Sequence, residues 1–198
     1  RFPLRLTLDQ LAVDRLALHQ LPGLSDKVLP EYHLAGGFDV FGPDHPLRLQ
    51  LELQSLETEE TWVRVDTQLV TSGEVQIQGS VAEAPGGLLG GLARWPAADP
   101  LAADFRLRLI QKGRNLHLAL EEIATQIVGH SVQVSGSLDY DLDKQSLQVP
   151  ALTLLLDGRP QTLKGGYSPT DLWLQANLDT LPLDLVTPWY ADIAGGTA

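Results

Sequence analysis

Apolar residues return at every second position in one segment of this chain after another. Leu47, Leu49, Leu51 and Leu53 do so, as do Phe105, Leu107 and Leu109, and Leu116, Leu118 and Leu120. Val132 and Val134, then Leu152, Leu154 and Leu156, then Leu172, Leu174, Ala176 and Leu178 continue the pattern. A period of two places one face of a strand in an apolar environment and leaves the other to water. Turn signals stand between the segments: Gly42-Pro43-Asp44, Lys112-Gly113-Arg114-Asn115, Asp157-Gly158-Arg159 and Ser168-Pro169-Thr170-Asp171. The succession reads as a meander of hairpins.

A short phrase, apolar-x-Gly-(Gly/Ser)-x, recurs inside these segments at Gly36, Gly79, Gly136, Gly165 and Gly195. Its later copies are about 29 residues apart, and Gly79 to Gly136 is close to twice that, the self-similarity of stacked repeats. A residue without Cβ permits tight sheet curvature or close backbone approach; it also marks a bulge or the start of a strand. Both uses bend the sheet.

Three segments interrupt the β pattern, near residues 21–32, 86–104 and 181–192. Leu21-Pro22 leading to Glu31-Tyr32 parallels Leu181-Pro182 leading to Trp189-Tyr190, and Gly86–Gly91 precedes Trp95-Pro96. Each is apolar, Pro-bounded and long enough for one or two helical turns, a short plug shielding the sheet. The opening stretch steps by two and then three through Leu6, Leu8, Leu11, Val13, Leu16 and Leu18, which reads as bulged strand. A helix with Leu4, Leu8, Leu11 and Leu18 on one side is the alternative.

Composition narrows the function classes. With 25 acidic against 14 basic residues and a net charge of −11, the chain lacks the clustered cations that nucleic acid or an anionic membrane surface requires. No cysteine is present, which removes thiolate chemistry and cysteine-ligated metals. No apolar run approaches the ~20 residues that span a bilayer. The sequence opens at Arg1 and contains no methionine, which reads as a fragment of a longer protein with any anchor or targeting signal outside it.

The stretch "VQVSGSLDYDLDKQSLQVPALTLLLDG" and the later "LPLDLVTPWYADIAGG" resemble the repeats of the TamB/AsmA-like family of bridge-type envelope proteins. The resemblance implies an all-β fold, a long, curved, open antiparallel sheet with an apolar concave face and short helical plugs, spanning residues 1–198 as part of a repeat array. It implies a non-enzymatic segment of an inner-to-outer membrane bridge in the periplasm of a Gram-negative bacterium, anchored in the inner membrane elsewhere in the full-length protein. Its partners are then phospholipid and, through regions outside this fragment, an outer-membrane barrel of the TamA-like kind. The groove residues are Leu49, Leu51, Leu53, Val65, Leu107, Leu109, Leu118, Leu120, Val132, Val134, Leu154, Leu156, Leu172 and Leu174. A Leu/Val lining has no head-group pocket, so it holds an acyl chain and lets it slide. The same residues fit the core of a closed β-sandwich equally well by pattern alone. A second functional reading is an assembly scaffold that pairs its sheet edge with strands of outer-membrane β-barrel proteins.

Catalytic and metal motifs are weak. His19, His33, His45, His117 and His130 show no ligand spacing. Asp139, Asp141 and Asp143 imitate a calcium loop, yet the loop glycine is missing and Pro150 stands where the bidentate acid belongs, so a polar face entering a turn at Asp143-Lys144-Gln145 is expected. Gly86–Gly91 lacks the Gly-Lys-Ser/Thr of a phosphate loop. Glu121-Glu122 reads as a solvated turn. A carbohydrate enzyme on a β scaffold lacks a convergent carboxylate pair, and neither cofactor nor metal is called for.

Overall fold

The computed structural model describes residues 6–17, 31–40, 47–58, 62–70, 73–92, 95–96, 98–179, 182 and 185. Eleven strands form one open antiparallel sheet in which spatial order follows chain order throughout. They are β1 (Leu6–Ala17), β2 (Glu31–Val40), β3 (Leu47–Ser55), β4 (Trp62–Val70), β5 (Glu74–Glu83), β6 (Leu101–Lys112), β7 (Asn115–Ile127), β8 (His130–Asp141), β9 (Ser146–Leu156), β10 (Arg159–Ser168) and β11 (Asp171–Asn177). One five-residue helix, α1 (Leu88–Leu92), lies between β5 and β6. No second sheet packs on the first among the described residues, so the sandwich alternative gives way to a single layer.

Strict alternation fails at four places, and each is a bulge. Leu8 pairs with Phe38 and Leu11 with Gly36, so Asp9 and Gln10 together oppose Gly37; Asp14 and Arg15 oppose His33 in the same way. In β7, Leu120 pairs with Gly136 and Ile123 with Val134, leaving Glu121 and Glu122 against Ser135. In β9, Val149 pairs with Gly165 and Leu152 with Leu163, leaving Pro150 and Ala151 against Lys164. A bulge sets two residues against one, so the apolar series steps by three there and stays on the same face. The opening stretch is therefore bulged strand rather than helix. Glu121-Glu122 is corrected from a turn to a mid-strand bulge, with both carboxylates exposed.

Tight turns close the hairpins. Val128-Gly129 and Asp157-Gly158 are two-residue loops with both φ angles positive, at 51° and 78° and at 48° and 77°, the type I′ geometry whose twist matches the flanking strands. The expected turn at Asp143-Lys144-Gln145 is present, and the Asp141 carboxylate accepts the Asp143 and Lys144 N–H groups at 3.0 and 3.1 Å. Those backbone donors, Lys144 first, hold the Asp141 carboxyl below its usual range. Gly42-Pro43-Asp44 lies outside the described residues.

The three insertions are described in part. Among the described residues of 86–104, Leu88–Leu92 is helical, and residues 101–104 belong to β6. Glu31 and Tyr32 open β2, while residues 21–30 lie outside the described residues. Of 181–192, Pro182 and Leu185 are described, and Leu185 is helical.

Val128 is the one β-branched residue held at positive φ among the described residues. Its N–H donates to Asp99 Oδ2 at 2.6 Å, which fixes the strained turn. Strain of this kind costs of order 1 kcal/mol or more. Val128→Asn creates the Asn-Gly pair that this turn prefers, and the chain should gain about 1 kcal/mol in urea unfolding. An unchanged or lower midpoint would show that the turn carries no such strain.

Candidate functional site: the apolar face of the sheet

Partners across an antiparallel ladder share a face, so the register sorts every side chain. One row runs Leu51, Val65, Gly79, Phe105, Ile123, Val134 and Leu154 through six successive pairings from β3 to β9. Beside it runs Leu49, Thr67, Ile77, Leu107, Leu120, Gly136, Leu152, Leu163 and Ala176, reaching β11. All fourteen groove residues expected from the sequence fall on this face. Ile77, Phe105, Ile123, Leu138, Leu152 and Leu163 share it and follow from the same alternation once the bulges are allowed for. Ten strand-to-strand steps of ~4.8 Å make the face about 48 Å long measured across the strands.

Gly36, Gly79, Gly136 and Gly165 of the recurring phrase lie on this face and accommodate neighbours, while Gly195 lies outside the described residues. A Cβ on Gly79 would stand 2.6 Å from Phe105 Cζ and 2.3 Å from the Arg64 carbonyl oxygen, so the Phe105 ring lies over the glycine. Gly136 has φ of 145°, and a Cβ there would meet the Ala151 oxygen at 2.2 Å. Gly36, Gly136 and Gly165 each adjoin a bulged partner, so close approach and bulge occur together.

Burial is uneven across the face. Tyr32, Ser55, Glu83, Leu101, Val132, Leu156 and Gln161 are buried, and the register sets all of them along one rim. Two elements outside the sheet cover that rim. Leu185 packs with Val132 and Leu156, flanked by Ile127, Val134 and Leu154. At β5 the buried Glu83 carboxylate accepts N–H groups of Leu89 (3.0 Å) and Gly90 (2.6 Å), satisfying donors that the first turn of α1 leaves without helical partners. Val132 and Leu156 therefore belong to a local core rather than an open surface. Ten of the fourteen groove residues are half-buried, and Leu172 and Leu174 at β11 are 76% and 74% exposed.

The opposite face is polar and cross-linked. Gln50 donates to Asp66 (3.1 Å), Arg64 pairs with Glu52 (3.2 Å) and stacks over Trp62 at 5.8 Å, and Arg108 lies 3.3 Å from Glu121. His117 meets Asp139 at 2.6 Å. At the covered rim His130, which pairs with Ile127 on the apolar side, meets Asp157 at 2.6 Å. The His130 ring, together with the Ser131 N–H, holds the Asp157 carboxyl below its usual range. A hollow of about 910 Å³ opens on the polar face among Lys112, His117, Asp139, Asp141, Lys144 and Gln148. No group of three or more His, Asp or Glu residues converges to hold a metal among the described residues. His19 and His45 lie outside them. The His–Asp pairs were not legible in the sequence, because their partners are 22 and 27 residues apart.

No protein-family model matches the chain, and neither a curated protein nor a solved structure matches it.

Tyr32 is the buried polar group with the largest consequence. It is 1% exposed and its hydroxyl has no hydrogen-bond partner among the described residues. Burial, then the negative charges of Glu83 and Glu57, push its pKa from 10.0 to about 12. Because the folded value is raised, the unfolded chain loses this proton first. The associated stability is present below pH 10 and lost as the pH rises towards 12. Tyr32→Phe removes an unsatisfied hydroxyl and should raise stability at neutral pH by about 1 kcal/mol. It should also flatten the decline between pH 10 and 12 in chemical unfolding. A variant that keeps the full decline would assign it to other groups.

Proposed function

We propose that this chain is a non-enzymatic segment of a lipid conduit, whose apolar sheet face carries phospholipid acyl chains across the periplasm between the inner and outer membranes of a Gram-negative cell. The observation that supports this most is the unbroken apolar face on eleven consecutive strands with no second sheet over it. Chain methylenes leaving water contribute about 0.8 kcal/mol each, so a chain of ~15 gains roughly 12 kcal/mol before immobilisation costs. With Leu, Val and Ile in every strand from β3 to β9, neighbouring positions differ little in that gain, which suits sliding rather than storage. The covered rim and the exposed far rim support a trough that keeps acyl chains on the face while head groups remain in water.

A face that curls inward is part of this reading. One feature supports it: the Phe105 ring lies over Gly79, the close approach that a residue without Cβ permits where a sheet bends. A second reading, a scaffold for assembling outer-membrane β-barrel proteins, draws support from the outer side of β11, which pairs with no other strand among the described residues.

Photocrosslinking tests the faces directly. Crosslinkers at Leu51, Leu107, Val134, Leu154 and Leu174 should capture phospholipid, and those at Gln50, Arg108, Gln133, Thr153 and Gln175 on the polar face should not. Equal capture by both sets would reject the conduit.

Charge insertion separates the open face from the covered rim. Leu107→Asp places a carboxylate on the half-buried mid-face, where water still reaches it, so folding should survive while lipid capture falls sharply. Val132→Asp buries the charge under Leu185 and should cost several kcal/mol. If Leu107→Asp unfolds the chain as Val132→Asp does, the mid-face is a sealed core and the lipid reading fails.

A further inference from the structure

We propose that two copies of this chain join edge to edge through β11 in an antiparallel, two-fold dimer. The argument starts from a difference between the two edges of the sheet. Natural edge strands are blunted by bulges, charges or proline, because a row of unpaired N–H and C=O groups invites another strand. β1 is blunted in this way: two bulges interrupt it, and Asp9, Asp14 and Arg15 occupy them. β11 is not. It runs in unbroken register with β10 from Asp171 to Asn177, with no bulge, no proline and a single charge, Asp171.

No described strand lies on the outer side of β11. Its two largest side chains turn inward over the Gly165-Gly166 pair of β10. Trp173 Nε1 lies 2.5 Å from where a Gly166 Cβ would stand, and Leu174 Cδ1 lies 3.3 Å from the corresponding point at Gly165. The described residues that follow make their contacts away from the edge. Asp179 donates its N–H to Gln161 Oε1 at 2.6 Å, and Leu185 packs against Val132 and Leu156, back on the sheet face.

The sequence of β11 is complementary to itself about Leu174. In a two-fold antiparallel pair, Leu174 faces its copy, Leu172 faces Ala176, Trp173 faces Gln175 and Asp171 faces Asn177. Apolar meets apolar on one face, and no like charges stand opposite each other on the other. Leu172 and Leu174, the most exposed large apolar side chains among the described residues, gain cover from it. An isologous contact closes after two copies, leaving only the blunted β1 edges outside, whereas β11 against β1 would propagate as a filament. The apolar face then continues across both copies.

The chain contains no cysteine, so single cysteines report the register without interference. At position 174 the two Cα atoms would face each other about 4.5–5.5 Å apart, within the roughly 4.4–6.8 Å that a disulfide spans. At position 172 the two copies would be four residues apart along the strand, about 13 Å. Under mild oxidation Leu174→Cys should therefore form a covalent dimer, and Leu172→Cys should stay largely reduced. Sedimentation at moderate salt, which screens the charge of −11 on each copy, should show the unmodified chain as a dimer. Leu174→Lys should be a monomer that still unfolds cooperatively, with a midpoint that no longer depends on protein concentration. A monomeric unmodified chain at high micromolar concentration overturns the proposal, including one that binds foreign strand peptides. So does equal crosslinking at 172 and 174, or a Leu174→Lys variant that stays dimeric.

Discussion

Backbone pairing between strands that are consecutive in the chain is the interaction on which this structure depends. A single-layer sheet has no opposing layer to bury its face, so the ladder itself must satisfy the main-chain donors and acceptors. From β2 to β10 every strand is flanked by its predecessor and its successor, so those groups are paired on both sides. All of these contacts are between neighbours in sequence, which makes stability a sum of strand-to-strand terms, as in repeat arrays. The buried residues along one rim supplement that sum. Few as they are, they include the group that joins α1 to the sheet, Glu83.

Pairing alone does not keep the two faces distinct; register does. A slip of one residue would turn each leucine to the polar side. Here the alternation is also re-phased deliberately, at Asp9-Gln10, Asp14-Arg15, Glu121-Glu122 and Pro150-Ala151, and each bulge returns the next apolar residue to the same face. Proline fits the third of these strands because a bulge does not require its missing N–H. Polar pairs in the bulges of β1 and β7 project charge where the strand bends, and Glu121 finds Arg108 across the ladder.

This explains which parts were legible in the sequence. Period two and the Gly-rich turns pointed to an all-β meander of hairpins with the fourteen residues on one face, because both signals act through local backbone geometry; the same pattern left a closed sandwich open as an alternative. The step of three in the opening stretch gave the bulges of β1. The same step from Leu120 to Ile123 passed as a turn, since a polar doublet looks alike in either setting; the missing Gly or Pro is what distinguishes them. Closure of the rim was not legible. Leu185 and Val132 come together across a long stretch of sequence, and neither alternation nor spacing encodes that proximity. The 86–104 insertion was recognised as a break, but the helix within it is set by one carboxylate across the β5 end.

The remaining question is what an exposed apolar face is for. The accessible surface is 13380 Å², against roughly 9,200 Å² for a compact monomer of this mass. Monomeric proteins rarely leave contiguous apolar patches beyond a few hundred Å² uncovered, and larger ones mark a site of contact with another molecule. A second sheet would cover the face permanently and would need a complementary apolar layer, which no described element supplies. Folding over would break the ladder that holds the strands. An occupant that is itself flexible, apolar and replaceable covers the face without either cost. An acyl chain meets all three conditions, which is why the continuity of the Leu/Val rows, rather than any single pocket, carries the lipid reading. The hollows of the polar face argue in the same direction: they are formed by exposed ion pairs and amides, groups that water satisfies as well as any ligand.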